Sequence, residues 1–130
     1  MPRTTVLFFR ERPGDVPVLD WLRGLRHGDR RGYAKCVARI QRLGALGHQL
    51  RRPEADSIRE GIYELRARRG RVQYRVLYFF YGQHICVLAH GLAKEDKVPV
   101  AEVERALRRK ATYEKDPGGH TFEMELGDDG

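Results

Sequence analysis

Residues 61–99 read GIYELRARRGRVQYRVLYFFYGQHICVLAHGLAKEDKVP, three apolar strand patterns set between arginines and lysines. Residues 62–67 alternate, residues 68–71 make a basic turn around Gly70, and residues 72–81 are apolar at both parities, the pattern of a central strand. Gly82 and Gln83 give a tight reversal and residues 85–90 return as another strand. Residues 61–90 are therefore expected to form an antiparallel meander with short connections. Such a meander gathers its cations at the strand ends, which predicts a site for a polyanion.

Upstream, Val6-Leu7-Phe8-Phe9 reads as a first strand, closed by the turn-forming residues 10–14. A helix is expected next, with Asp15 as N-cap and Val18, Trp21, Leu22 and Leu25 as one apolar stripe. In a second, longer helix Tyr33, Cys36, Val37, Ile40, Leu43 and Gly44 repeat that spacing, Arg30, Arg31, Lys35, Arg39 and Arg42 fill the opposite face, and Gly47 supplies the stop. Residues 50–60 contain Pro53 and no sustained period, so they read as a loop. Pro99 marks the first turn of a last helix whose Val103, Ala106 and Leu107 face the sheet. The expected organisation is one α+β domain over residues 1–115, followed by an acidic, disordered tail over residues 116–130.

A chain of 130 residues with 41% hydrophobic content suits one core. The first 115 residues hold all 25 Lys and Arg but only 13 of the 18 acids, and the last 15 carry the other five acids and no base. A body this cationic attracts phosphate backbones, acidic proteins or anionic membranes. No run approaches the roughly 18 to 20 apolar residues of a spanning helix and no secretory signal opens the chain, so a cytoplasmic protein is expected. Cys36 and Cys86 sit inside apolar periodic segments and suit free buried thiols. None of the five histidines has the spacing of zinc ligands, and metal-independent chemistry is expected.

Strand parity places Arg75 with Gln73, Leu77 and Phe79, near the strand start, where a guanidinium can grip a phosphate with two prongs and stabilise a phosphorane. A structural pairing with Glu64 is the alternative. Arg66 shares the face of Glu64, two residues away. Lys94 and Lys97 follow the last strand in a loop able to swing an ammonium over the sheet. His90 is placed to move a proton in RNA cleavage, although a lone strand histidine is more often structural. Tyr63, Tyr74 and Tyr113 can stack a base or pack in the core.

Tyr63-Glu64-Leu65-Arg66, Tyr74-Arg75-Val76-Leu77-Tyr78 and Leu88-Ala89-His90-Gly91 followed by Lys94 and Lys97 resemble the RelE/HigB-like toxins of type II toxin-antitoxin systems, in particular their phage-derived HigB-like branch. The likeness extends over residues 5–112. It implies a RelE-like antiparallel β-sheet with two N-terminal helices packed on one face and a C-terminal helix. It further implies a cofactor-free endoribonuclease that cuts mRNA on the ribosome by attack of the 2′-hydroxyl on the adjacent phosphate. The resemblance puts Arg75, Arg66 and Lys94 in the catalytic group; the reading of the residues themselves adds His90 to it and sets Lys97, Arg68, Arg69, Arg71 and Tyr113 against RNA. Glu95 stands where the family carries a second lysine, and Glu64 where the RelE branch carries a lysine. The implied partners are mRNA with the ribosome, a cognate helix-turn-helix antitoxin and, only through that antitoxin, operator DNA; no membrane is implied. Two other readings are a ParE-like toxin that poisons DNA gyrase by contact alone, and a plain RNA-binding module.

Overall fold

The computed structural model describes residues 3–93 and 97–126. The chain runs β1 (Thr5–Phe9), α1 (Pro17–Gly28), α2 (Arg30–Leu46), β2 (Ala55–Arg59), β3 (Ile62–Arg69), β4 (Val72–Tyr81), β5 (Ile85–Ala93), α3 (Val100–Lys115) and β6 (Thr121–Phe122). The strands join in one sheet in the order β2-β3-β4-β5-β1-β6. The segment from β3 to β5 is the expected antiparallel meander, and β1 lies parallel to β5. The fold is the expected α+β arrangement.

Both parities of β4 are buried because both faces of the sheet are covered. Tyr74, Val76 and Tyr78 pack with Val18 and Leu22 of α1 and with Cys36, Ile40 and Leu43 of α2. Leu77 and Phe79 instead pack with Ala106 and Tyr113 of α3. The two N-terminal helices thus share one face and α3 takes the other. Cys36 and Cys86 are free and buried, and burial pushes the Cys36 thiol up to about 12 and that of Cys86 well above its ordinary value, so neither is a nucleophile at neutral pH. No helix among the described residues is long and apolar enough to cross a membrane.

Three local expectations need correction. Within the stretch read as a loop, residues 55–59 form β2, antiparallel to β3. A register shift between Ser57 and Arg59 interrupts its alternation, which hides a five-residue edge strand from a search for period two. Asp15 does not cap α1: Val16 is the N-cap, and the Asp15 carboxylate accepts from Arg12 Nη1 at 2.8 Å. From Asp116 the chain is not a free tail as far as Leu126. It makes a 3-10 turn, pairs β6 with β1, and stacks His120 on Phe9. Gln41 Nε2 donates to Leu126 O at 3.0 Å, fastening the segment to α2. Residues 127–130 lie outside the described residues.

The α1–α2 corner is tied to the sheet through Asp29. Its carboxylate accepts from Gly32 N at 3.0 Å, capping α2, and from the Tyr74 hydroxyl at 2.7 Å. The Gly32 amide, followed by the Tyr74 hydroxyl, holds the Asp29 carboxyl below its ordinary pKa. A Cβ on Gly32 would lie 2.5 Å from both Tyr74 Cε2 and Asp29 Oδ2, whereas one on Gly24 of α1 would meet nothing within 4 Å. Two glycine-to-alanine changes in helices should therefore have opposite signs. Gly24→Ala should stabilise by about 0.5–1 kcal/mol, and Gly32→Ala should destabilise by about 1–3 kcal/mol through overpacking, as read from urea denaturation midpoints.

Candidate functional site

The face of the sheet that carries α3 is covered unevenly. α3 packs on Ile62, Leu77, Phe79, Val87 and Ala89, and Glu102 in its first turn stands over His90, which pairs with Leu77 across β4 and β5. Toward the β3–β4 turn the same parity continues through Arg75 and Gln73 on β4 and through Arg66 and Arg68 on β3. Arg66 and Arg75 are directly opposite each other in the register. Two cations so placed have Cβ atoms about 5 Å apart and repel.

Glu64 answers that repulsion. Its Oε1 is 2.8 Å from Arg75 Nε and its Oε2 is 3.1 Å from Arg66 Nη2. The Arg75 contact is an ion pair whose N–H is not aimed for a hydrogen bond, whereas the Arg66 contact is a hydrogen bond. The carboxylate and Arg75 are 8% and 7% exposed, and with His90 they are the buried polar side chains of the described chain. Beyond them Arg66 Nη2 lies 3.4 Å from Asp56, and Asp56 lies 3.1 Å from Arg52 Nε. Charges thus alternate from Arg52 on the edge to Arg75 inside. The Glu64 hydrogen bond is the main cause that raises the Arg66 pKa, so its charge is permanent.

His90 belongs to a neighbouring cluster. Its Nε2 is 3.1 Å from Glu102 Oε1, which also faces Arg105 at 3.4 Å. Arg109 donates to Ala89 O and pairs with Glu11. Burial first, then the Arg109 charge, lowers the His90 pKa to about 4, Glu102 opposing and Arg105 adding to the fall. The imidazole is neutral at neutral pH. Its orientation comes from a bulge: Leu77 pairs with His90 but Tyr78 with Leu88, leaving Ala89 extra and turning His90 to the α3 side.

Residues 20–111 match the family model described as Phage derived protein Gp49-like (DUF891). The chain belongs to this family. The Gp49-like family is associated with toxins of toxin-antitoxin modules. No curated protein matches the chain.

In this Gp49-like chain the other expected site residues that are described are dispersed. Lys94 lies outside the described residues. Lys97 is exposed two residues before Pro99, the N-cap of α3. Arg68 and Arg71 are exposed at the β3–β4 turn, and Arg69 points to the other face, where its Nε lies 3.3 Å from Asp29. Tyr113 is not an RNA contact in this fold. It is 2% exposed, packed edge-on to Phe79 and Tyr81, and its hydroxyl accepts from Thr121. Tyr74 is spent on Asp29, and Tyr63 stacks on Tyr78. Asp56 and Glu102, which hold Arg66 and His90, carried no signal: one lay in the apparent loop, the other in an unremarkable helix turn. Among the described residues no group of three or more His, Cys, Asp or Glu is placed to hold a metal ion.

The His90 environment predicts acid sensitivity. The imidazole titrates at 6.5 when unfolded and about 4 when folded, so between those values the unfolded chain binds a proton that the folded chain refuses. Its contribution is fully present above pH 6.5 and is lost as the pH falls toward about 4, an effect on the order of 3 kcal/mol. Urea midpoints measured from about pH 7 to about pH 5 should fall for the wild type and change less for His90→Asn. An equal slope in both would exclude His90 as the source.

Proposed function

We propose that this Gp49-like protein is the toxin of a type II toxin-antitoxin module and an endoribonuclease of the RelE/HigB type, acting on mRNA in the ribosome. The observation that carries the reading is the Arg66 and Arg75 pair, opposed across β3 and β4 on the stretch of sheet beyond the first turn of α3. Opposed guanidiniums are unfavourable in a resting protein and favourable once a phosphodiester lies between them. In the proposed reaction the 2′-oxygen attacks the adjacent phosphorus, the bond to the 5′-oxygen breaks, and the products are a 2′,3′-cyclic phosphate and a 5′-hydroxyl. Arg75 and Arg66 neutralise the charge that builds on the equatorial oxygens, where fixed donors stabilise the transition state most. Lys94 and Lys97 supply further cations, the role the family resemblance gives them.

His90 receives a supporting role in this proposal rather than proton transfer. It is 5% exposed, neutral at neutral pH and engaged with Glu102, so it cannot serve as a charged acid there. Arg68 and Arg71 track the RNA backbone through exposed, salt-screened charge. A cognate antitoxin with acidic side chains would cover the same cations. Residues 121 and 122 pair with β1, on the far side of β5 from β4.

Expression in a bacterium followed by primer extension tests the reading. Codon-linked breaks in mRNA are expected, and Arg75→Ala or Arg66→Ala should lower cleavage by on the order of 10²-fold while the variants still fold cooperatively. DNA damage with intact mRNA would instead assign the protein to the gyrase-poisoning branch.

A further inference from the structure

Glu64 is the one buried carboxylate of the described chain, and each of its oxygens lies on a different arginine. The RNA-cleavage reading uses those arginines but gives the carboxylate no part. A buried charge is retained against a large desolvation cost only where it is compensated, and here the compensation is reciprocal. Glu64 stops Arg66 and Arg75 from repelling each other, and each of them faces one of its oxygens. The carboxylate is also planar, anionic and bound by two guanidiniums, as two oxygens of a phosphodiester would be.

We infer that Glu64 is the positioning residue of the phosphate site, an internal anion that holds Arg66 and Arg75 opposed and competes with the scissile phosphate for them. The inference rests on the RNA-cleavage reading and deepens it. Its two halves act in opposite directions. As a spacer, Glu64 sets where the guanidiniums stand, and small displacements of such groups are costly in rate. As a resident anion, it weakens ground-state binding, because the incoming phosphate must draw the guanidiniums away from it. Arg66 keeps Asp56 as a second carboxylate neighbour during the exchange.

Glu64→Gln removes the charge at constant shape and separates these effects. Affinity is read from fluorescence anisotropy on ribosomes programmed with an mRNA carrying a 2′-deoxy group at the scissile position, which cannot be cut, and kcat from ribosomes programmed with the all-ribose parent. The expected result is affinity raised about fivefold to tenfold and kcat lowered about tenfold or more, with residual activity keeping the wild-type pH profile. Affinity unchanged or weakened in the folded variant overturns the inference, as does loss of one limb of the pH profile, which would make Glu64 a base. Should Glu64→Gln fail to fold, Glu64→Asp decides: it keeps the charge but shortens the spacer, so affinity within about twofold of wild type and a kcat lowered severalfold are expected. Wild-type kcat in that variant overturns the inference. Wild-type protein that neither binds the uncleavable RNA nor cuts its parent removes the RNA reading itself, whereas wild-type cleavage with unaltered Glu64→Gln affinity removes only the role of Glu64.

Discussion

Everything in this fold answers to one constraint, a central strand that is apolar on both sides. β4 cannot face water on either side, so helices must lie above and below it. The sequence between β1 and β2 supplies two helices for one face, and the last helix covers the other. The coverage is unequal in length. β4 has 10 residues, about 33 Å at the usual strand rise, and α3 has 16, about 24 Å at the helical rise. Because Tyr113 near the end of α3 is locked on Phe79 and Tyr81, its first turn reaches only to the level of His90 and Leu77. The first half of β4 on that face is left to polar side chains.

Charge is concentrated in that half of β4, beyond the apolar contacts of α3. Arg75 continues the inward parity of Leu77 and Phe79, so its stem follows the core while its head lies beyond it. Arg66 is opposite, and the repulsion between the two is relieved by an alternating series through Glu64, Asp56 and Arg52. These pairs differ in kind from the exposed Arg12–Asp15 and Arg23–Asp20 contacts, which water and salt reduce to little. Inside, removing one partner leaves an uncompensated charge, so the cluster behaves as a unit.

The sheet was legible from residues 61–90 because period two and short turns are local properties. The same holds for the two helical stripes. What escaped was set by distant partners or broken by a single extra residue. β2 is an edge strand whose alternation is interrupted at its bulge. β6 is recognisable only once β1, more than a hundred residues away, offers it an edge. The face of His90 depends on the bulge at Ala89, which no parity count anticipates. For the site, the Arg75 face was readable from parity, and the pairing with Glu64 followed from two neighbouring strands. Tyr113 offered either base stacking or core packing, and only the packing of residues 116–126 shows it enclosed in the core.

Burial also bears on the choice between the proposed nuclease and a protein that acts by contact alone. A protein that works only by adhering to an acidic or nucleic-acid surface is best served by exposed cations, because long-range attraction needs no desolvation. This chain has such cations in Arg30, Arg31, Lys35, Arg68 and Arg71. It nevertheless invests in Arg75, 7% exposed and held against a carboxylate that is itself buried. Fixed charge in a water-poor setting contributes little to encounter and much to stabilising charge that develops at one point during a reaction. The exposed set suits docking and the buried pair suits chemistry. The proposed nuclease, which must first locate a large RNA assembly, would use both sets, and a binder that stops at contact would need only the exposed one.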